Sequence, residues 1–249
     1  MSTDNSAVYL VVGGSGGIGA DVARQLAAKG TRVVVTGRDA GRLAAIGAET
    51  GAPTLQLEAR DSAAVDAVLQ QVHTRHGRLD GVNCAGSILL KPAHLITDAE
   101  FAETLALNLT TAFNVLRATV RVIMRQPGGG SIVLCSSVAA RRGLLNHEAI
   151  AAAKAGVEGL ALAAAASYAR YQVRVNCVAP GLTRTGLTRA LTQNEAVAKA
   201  SAALHPLGRI GEPVEVASAI CWLLDGAQAW VTGQVIGVDG GLGSVQARA

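Results

Sequence analysis

The feature that most constrains this chain is an alternation of short, almost continuously apolar runs with longer segments of helical pattern. Strands that are apolar at nearly every position suit a sheet covered on both faces. The predicted strands are Val8–Val12, Arg32–Thr36, Thr54–Glu58, Gly81–Cys84, Ser131–Ser136, Val173–Ala179 and Val235–Val238. The predicted helices are Ile18–Lys29, Ser62–His73, Asp98–Met124, Asn146–Tyr171 and Val214–Leu224. This order predicts an α/β fold with a doubly wound parallel sheet and helices on both faces.

Length and composition are typical of a single globular domain. The 249 residues are 50% hydrophobic and no linker or repeat divides them, so one domain over residues 1–249 is expected. Lys154 and Glu158 interrupt the most apolar stretch, which argues against a membrane span. The first five residues lack the basic and apolar regions of a secretion signal, so a cytoplasmic location is expected.

Charge and cysteine usage argue against several other functions. The net charge is +4, the arginines are scattered and aromatic residues make up only 3% of the chain, so nucleic-acid binding is not expected. The four cysteines are far apart in the sequence, which favours buried reduced thiols over a disulfide framework or a zinc site: Cys84, Cys135, Cys177 and Cys221. No metal is expected.

Glycines connect the first predicted strand to the first predicted helix. Gly13, Gly17 and Gly19 have the spacing G-x-x-x-G-x-G. A pyrophosphate at a helix N-terminus binds backbone N–H groups, and side chains there would block its approach. Because this loop lies inside a strand–helix–strand unit, it predicts a dinucleotide site that also includes Ser15 and Ile18. The alternative is a turn with a structural role only.

The end of the second predicted strand bears on which dinucleotide binds. An acidic residue there would bind the ribose 2′-hydroxyl and repel a 2′-phosphate. This strand is followed by Gly37 and Arg38, and a guanidinium suits a phosphate, so NADP(H) is predicted in preference to NAD(H). Asp39 is interpreted as the N-cap of the next helix. Glu58 is expected to accept a hydrogen bond from the adenine amino group or, alternatively, to form a surface ion pair.

With these and further motifs, the chain resembles the short-chain dehydrogenase/reductase family over essentially its whole length. The further motifs are Asn83-Cys-Ala-Gly86, Asn108, Ser136-Ser137, Lys154, Val175-Asn-Cys-Val-Ala-Pro-Gly181 and Gly233-Gln-Val-Ile-Gly-Val-Asp-Gly-Gly241. Within the family, the chain is most similar to the 3-oxoacyl carrier-protein reductases. The resemblance implies a Rossmann-type fold, a nicotinamide cofactor, a small-molecule or acyl-thioester substrate and a homotetramer.

The resemblance also implies roles for individual residues. Ser137 is expected to bind the substrate oxygen, Lys154 to hold the hydroxyls of the nicotinamide ribose, and Asn108 to support a chain of water molecules. Residues 182–207 correspond to the segment in which the family has a mobile substrate lid. The remaining expected cofactor contacts are Asn83 and Gly86 on the adenosine side, and Pro180, Gly181 and Thr185 at the nicotinamide end.

One residue of the family pattern is missing. The family places a catalytic tyrosine four positions before the lysine, where this chain has Ile150. In the family, the lysine charge lowers the pKa of that tyrosine, which donates a proton to the carbonyl oxygen as hydride arrives. None of the three tyrosines of this chain lies four residues before a lysine. Loss of a general acid removes about 10²–10⁴-fold of rate.

His147 is the candidate replacement for that acid. It lies seven residues before Lys154, which is the tyrosine–lysine spacing of the enoyl carrier-protein reductases, a divergent branch of the same superfamily. Histidine supplies protons near neutral pH, and His147 lies in the first turn of its helix if Asn146 is the N-cap. The alternative is an exposed histidine without a catalytic role.

Two functions follow from these observations. The first is an NADP(H)-dependent oxidoreductase that transfers hydride to or from a carbonyl or conjugated enoyl substrate, with an atypical active site. The second is a non-catalytic or regulatory NADP(H)-binding protein. Ser137, Lys154 and Asn108 favour the first function, because a site without chemistry has no physical need of all three. Ile150 favours the second.

Overall fold

A computed structural model describes residues 7–246, in which the strands form one seven-stranded sheet. The strands are β1 (Val8–Val12), β2 (Arg32–Gly37), β3 (Thr54–Gln56), β4 (Asp80–Asn83), β5 (Gly130–Cys135), β6 (Val173–Pro180) and β7 (Val235–Val238). Neighbouring strands are all parallel, in the order β3-β2-β1-β4-β5-β6-β7. The strand order reverses between β1 and β4, which confirms the doubly wound Rossmann-type sheet predicted from the sequence.

Helices cover both faces of this sheet. They are α1 (Gly17–Ala28), α2 (Ala40–Thr50), α3 (Ser62–His76), α4 (Asp98–Leu105), α5 (Thr111–Ile123), α6 (Glu148–Tyr168), α7 (Arg189–Thr192), α8 (Glu195–Leu204) and α9 (Pro213–Leu224). Alternate residues of β1 point to opposite layers. Tyr9 and Val11 pack with α1, α2 and α9, whereas Val8, Leu10 and Val12 pack with α3 and α5. Burial on both faces explains why the strands read as continuous apolar runs.

The predicted helix Asp98–Met124 is interrupted in the structure. It consists of α4, a π-helical turn at Ala106–Thr110, and α5. A π turn adds one residue to the local repeat without breaking the helix, so a helical apolar pattern does not reveal it. The turn contains Asn108, which is fully buried. The predicted single helix is therefore correct in extent and wrong in its internal geometry.

The start of α6 also differs from its prediction. Asn146 has a left-handed backbone with φ of 62° and is not the N-cap. His147 is the N-cap, its side chain makes no capping hydrogen bond, and the helix begins at Glu148. The expectation that His147 lies in the first turn is therefore wrong by one residue. The left-handed turn at Asn146 carries its carbonyl to the backbone N–H of Lys91, at 2.9 Å.

Two other predicted boundaries move. β3 ends at Gln56, so Glu58 lies two residues beyond the strand rather than at its end. The carboxylate of Asp39 accepts a hydrogen bond from the backbone N–H of Arg42 at 2.8 Å, which confirms Asp39 as the N-cap of α2. Residues 182–207, the segment predicted to be a lid, contain the short helices α7 and α8.

Among the described residues, one helical stretch, Glu148–Tyr171, is long and apolar enough to cross a membrane by length and composition. In the structure it packs against the sheet, with Ala153, Val157 and Ala161 buried, as the core helix of a globular domain does. The absence of a membrane span stays a prediction. Residues 1–5, on which the expectation of no secretion signal rests, lie outside the described part of the chain.

Candidate active site

The C-terminal ends of the parallel strands carry most of the predicted site residues. The ends of β1, β4, β5 and β6 meet at one edge of the sheet, at the point where the strand order reverses, which is where open α/β sheets bind ligands. Two adjoining cavities open there. We call them the glycine-loop cavity, of about 440 Å³, and the apolar cavity, of about 360 Å³. Ile18, Cys84, Gly86 and Thr185 line both, so the two spaces are continuous.

The glycine-loop cavity has the geometry of an anion site at a helix N-terminus. α1 begins at Gly17, and no acidic residue lies in its first turn. Gly13 has φ of 76°, and a Cβ there would lie 2.7 Å from the backbone nitrogen of Ala85. A Cβ on Gly16 would meet no atom within 4 Å, so the outer surface of the loop is open. The loop therefore fits a pyrophosphate bound by backbone N–H groups.

Arg38 lies at the far end of this cavity, after β2. Its side chain is 63% exposed, and its Nη1 lies 3.9 Å from Glu58 Oε2. Glu58 also pairs with Arg60, whose Nε lies 3.2 Å from Glu58 Oε1. The surface ion pair that the sequence left open for Glu58 is therefore present, and the residue still lines the cavity. The carboxylate of Asp39 caps α2, and the largely exposed guanidinium of Arg38 is the cation nearest to the end of β2 that lines the cavity.

The apolar cavity adjoins the end of β5. Ser137 lines it and accepts a hydrogen bond from the backbone N–H of Ala139 at 3.2 Å. That bond uses a lone pair of the hydroxyl oxygen and leaves its hydrogen available for a ligand. The rest of the wall is largely aliphatic and includes Ile88, Leu90, Leu144, Leu187, Leu191 and Leu204. The cavity suits an apolar group that carries one polar atom next to Ser137.

Lys154 reaches the same cavity from α6. Its Nζ donates to the carbonyl oxygen of Cys135 at 2.9 Å, and only 8% of the residue is exposed. Burial lowers the pKa of Lys154. A Cβ on Gly86 would lie 3.3 Å from this Nζ, which places the lysine beside the loop that follows β4. Lys154 therefore stands where the two cavities meet.

Asn108 holds the loop after β4 against the π turn. Its Oδ1 accepts from the backbone N–H of Ser87 at 3.1 Å, and its Nδ2 donates to Ser87 Oγ at 3.0 Å and to Thr104 O at 2.9 Å. A Cβ on Gly86 would lie 2.8 Å from Asn108 Oδ1. Asn108, Gly86 and Lys154 are thus in direct proximity, and the side chain of Asn108 is engaged with the protein itself.

Ile150 occupies the position one helical turn before Lys154. It is 4% exposed and lines the apolar cavity. An aliphatic side chain there offers no proton. His147 lines the same cavity, and its Nδ1 lies 2.7 Å from the carbonyl oxygen of Leu145. In that pairing Nδ1 carries the hydrogen, so Nε2 is a proton donor only when the ring is an imidazolium.

Two predicted cofactor residues support the loops and do not line either cavity. Asn83 is 2% exposed, and its Oδ1 accepts from the backbone N–H of Ala85 at 3.1 Å, which fixes the turn after β4. A Cβ on Gly19 would collide with the carbonyl oxygen of Gly13, so this glycine allows α1 to pack on the loop. Thr185, in contrast, lies close to Gly17, whose Cβ would be 2.9 Å from the threonine side chain.

His205 follows α8 and lines the apolar cavity, and the sequence alone predicts no site role for it. The residue is 3% exposed. Its Nε2 accepts from the backbone N–H of Leu182 at 3.3 Å, and its Nδ1 lies 2.8 Å from the carbonyl oxygen of Ser201. His205 therefore ties α8 to Leu182 in the loop that follows Pro180, the last residue of β6. No motif in the sequence signals this contact, because its partners are backbone atoms.

Comparison with known proteins identifies the family. A family profile described as "Enoyl-(Acyl carrier protein) reductase" matches residues 13–243. The 3-oxoacyl-[acyl-carrier-protein] reductase MabA of Mycobacterium tuberculosis is 35% identical over 236 residues, which are 94% of this chain and 92% of that protein. The chain belongs to the short-chain dehydrogenase/reductase family. This finding confirms the resemblance inferred from the motifs.

Solved structures of the short-chain dehydrogenase/reductase family share the whole fold. A short-chain type dehydrogenase/reductase from Mycobacterium ulcerans has a TM-score of 0.92 and 34% identity, covering 97% of this chain and 91% of that one. An actinorhodin polyketide ketoreductase with NADPH has a TM-score of 0.91 and 30% identity, covering 98% of this chain and 100% of that one. The chain thus belongs to a family of oxidoreductases and is related to ketoreductases.

Proposed function

We propose that this protein is an NADP(H)-dependent oxidoreductase that transfers hydride to or from a carbonyl or conjugated enoyl group on an apolar small molecule or acyl thioester. The observation that carries the proposal is the junction of the two cavities at Gly86 and Lys154. One cavity has an open glycine loop with Arg38 at its far end, and the other is aliphatic around Ser137. The names of the related proteins, an acyl-carrier-protein reductase and a ketoreductase with NADPH, support the same substrate and cofactor class.

The residues present fit a dinucleotide with a 2′-phosphate. The N–H groups of the glycine loop would hold the pyrophosphate, Arg38 the 2′-phosphate, and Lys154 the ribose hydroxyls. Pro180, Gly181 and Thr185 would contact the nicotinamide end. When bound, the nicotinamide supplies or accepts the hydride.

The chain itself must orient the substrate and deliver the proton. Ser137 donates a hydrogen bond to the substrate oxygen, and the ammonium of Lys154 favours negative charge that develops nearby. Ile150 cannot donate a proton, so we assign this step to the imidazolium of His147, whose Nδ1–H remains bonded to Leu145 O while Nε2 gives up its hydrogen. Protons from bulk water are the alternative source.

Residues 182–207 form the outer wall of the substrate site in this proposal. Leu187, Leu191 and Leu204 from this segment line the apolar cavity. Because His205 ties the end of α8 to Leu182, opening and closing of the lid would be confined to the residues between these two anchors. An acyl chain would be covered by aliphatic side chains in the closed position.

One observation favours a second function, a non-catalytic or regulatory NADP(H)-binding protein. Ile150 faces the apolar cavity at the position that would otherwise hold the family's tyrosine. Both functions require NADPH binding, but only the first consumes NADPH. The difference is directly measurable.

The deciding experiment follows NADPH consumption by its near-ultraviolet absorbance, using matched β-ketoacyl and enoyl thioesters and a panel of small ketones. NADPH affinity is measured in the same sample by fluorescence. Turnover with any member of the panel supports the oxidoreductase. Saturable NADPH binding with no turnover over the whole panel supports the non-catalytic function, and no binding contradicts both.

The role of His147 has its own test. His147→Ala is expected to lower turnover by about 10²–10⁴-fold and to leave the NADPH dissociation constant unchanged, because the residue acts on the proton only. His94→Ala, at an exposed histidine in the turn Ala93–Leu95, is the matched control and should retain full turnover. Unchanged turnover in His147→Ala would leave solvent water as the proton source.

We also propose a homotetramer. Exposed apolar side chains on helices of both layers support it, because interfaces between subunits cover such groups: Phe113 on α5 and Leu162 on the neighbouring α6, and Trp222 on α9 at the opposite face of the sheet. Sedimentation equilibrium at micromolar concentration should give four times the chain mass. A monomer under these conditions would contradict the assignment.

A further inference from the structure

Two cysteines lie side by side on the floor of the joined cavities. Asn83 of β4 and Leu134 of β5 are the last residues paired in register between these strands, and Cys84 and Cys135 follow them directly. Neighbouring strands lie about 4.8 Å apart, within the range of about 4.4–6.8 Å that disulfides span between Cα atoms. The separation of the two Cα atoms is therefore compatible with a disulfide.

The two side chains also point the same way. Both pack against the core cluster that contains Val82 and Val133, which lie two residues earlier in the respective strands and so on the same face. Both residues are free thiols that are partly exposed, and both line the apolar cavity. A small reagent that enters the cavity can therefore reach them.

The surroundings make the two thiols chemically unequal. The neighbouring Cys84 thiol, followed by the charge of Lys154, lowers the pKa of Cys135, and Lys154 Nζ lies 2.9 Å from the carbonyl oxygen of Cys135. The neighbouring Cys135 thiol, followed by partial loss of solvent, raises the pKa of Cys84. The other two cysteines are inert by comparison, since burial raises the pKa of both Cys177 and Cys221. Because the ammonium of Lys154 donates to the carbonyl oxygen of Cys135 itself, we assign Cys135 as the nucleophile of the pair and Cys84 as the resolving thiol.

We propose that Cys84 and Cys135 form a redox-sensitive dithiol, and that its oxidation to a disulfide by hydrogen peroxide reversibly closes the dinucleotide site. The Cys135 thiolate attacks one peroxide oxygen, the O–O bond breaks, and hydroxide leaves a sulfenic acid on Cys135. The sulfur of Cys84 then attacks Cys135, the S–O bond breaks and the disulfide forms. The oxygen leaves as water with the proton of the Cys84 thiol. Overall the two thiols lose two electrons and the peroxide is reduced to two water molecules.

The disulfide affects the dinucleotide site because the loops that adjoin the two cysteines are in close contact with the glycine loop and with Lys154. Its formation requires the two Cβ atoms to approach to about 3.8 Å, which draws together the ends of β4 and β5. A Cβ on Gly13 would lie only 2.7 Å from Ala85 N, so a shift of residues 85–86 presses directly on the glycine loop. A shift of Cys135 displaces its carbonyl from Lys154 Nζ. The disulfide itself does not depend on the proposed function, whereas its effect on NADPH binding rests on it.

The first test measures the bond itself. The four cysteines fall in four different tryptic peptides, because an arginine separates each from the next: Arg117, Arg170 and Arg184. Treatment of the whole protein with hydrogen peroxide, followed by alkylation and mass spectrometry, should give one linked pair of peptides, containing Cys84 and Cys135. Dithiothreitol should restore both free thiols. If both remain reduced, or are oxidised without becoming linked, the proposal is wrong whatever the protein's activity.

Variants identify the members of the pair. Cys84→Ser and Cys135→Ser should each abolish the linked peptide, whereas Cys221→Ala, in α9, should retain it. Circular dichroism confirms that each variant is folded. Only Cys84→Ser should accumulate the sulfenic acid on Cys135, trapped by dimedone, because the resolving thiol is absent. Trapping on Cys84 of Cys135→Ser at the same rate would overturn the assigned order of attack.

The second test couples the bond to the site. Oxidised wild-type protein should bind NADPH about tenfold more weakly than the same protein after dithiothreitol, with no such difference in Cys84→Ser. By reciprocity, saturating NADPH should lower the equilibrium constant for disulfide formation, measured in a thiol–disulfide buffer, by the same factor. If reduced protein binds NADPH and the disulfide leaves its affinity unchanged, closure of the site is disproved. If reduced protein does not bind NADPH, the proposed function fails while the peptide test still decides the disulfide.

Discussion

Arg38 is the residue that we propose selects NADP(H) over NAD(H). Arg38→Ala should weaken NADPH binding by about tenfold or more, the loss of a charge-assisted hydrogen bond, and should change NADH binding little. Isothermal titration with each dinucleotide measures the ratio. Arg75→Ala, at an exposed arginine near the end of α3, is the matched control. Equal losses for the two dinucleotides would contradict selection through the 2′-phosphate.

Ile150 permits a test by gain of function. Ile150→Tyr places a phenol one helical turn before Lys154, facing a cavity of about 360 Å³. If the rest of the site is intact, carbonyl reduction should rise by about 10²-fold or more, because a general acid is introduced. Ile150→Phe adds the same ring without the hydroxyl and should give no gain. A folded, NADPH-binding Ile150→Tyr variant without added activity would indicate that substrate access has also diverged.

At the scale of elements, the π turn between α4 and α5 serves to present Asn108 to the loop after β4. Asn108→Ala removes bonds to Ser87 and Thr104 and should cost about 1–3 kcal/mol of unfolding free energy. Asn176→Ala removes comparable buried bonds, to Val231 and Gln234, away from both cavities.

Urea unfolding and NADPH titration of the two asparagine variants separate a structural role from a role in the site. Both variants should lose similar stability, but only Asn108→Ala should bind NADPH more weakly, because only Asn108 holds the loop beside Lys154. Equal NADPH affinity in the two variants would limit Asn108 to stabilising the fold.

The sequence predicts elements best where a repeating pattern defines them. All seven strands were found, because burial on both faces makes each a nearly continuous apolar run. The π turn at Ala106–Thr110 and the left-handed Asn146 were missed, because each depends on one local backbone deviation. α7 and α8 are short and mostly exposed, so they carry no strong pattern.

At the scale of the whole molecule, the fold explains why distant motifs form one site. Residues that follow β1, β4, β5 and β6 meet because parallel strands share a C-terminal edge, so the joining of Gly13, Gly86, Ser137 and Gly181 follows from the predicted sheet. The pairing of Cys84 with Cys135 depends on strand register, and that of His205 with Leu182 on the path of a loop. Neither is encoded in the spacing of residues along the chain.

Stability against acid is a property of the whole surface, because several exposed carboxylates pair with arginine or lysine. The hydrogen bond from Arg209, followed by one from the backbone N–H of Glu212, lowers the pKa of Glu215 from 4.5 to about 2. The pairings of Glu49 with Arg24 and of Glu100 with Lys91 lower the pKa of each carboxyl in the same way. A carboxyl whose pKa is lower in the folded chain stabilises the fold above its unfolded pKa.

The contribution of Glu215 to the unfolding free energy should therefore be constant above about pH 4.5. It should fall as the pH drops from 4.5 towards about 2. Urea unfolding between about pH 5 and about pH 3 measures how steeply the unfolding free energy depends on pH. This dependence should be shallower in Glu215→Gln, because one of the protons is no longer taken up on unfolding. Since the pair is exposed, added sodium chloride should reduce the difference between the two proteins. Parallel pH curves at low salt would show that Glu215 contributes nothing to acid sensitivity.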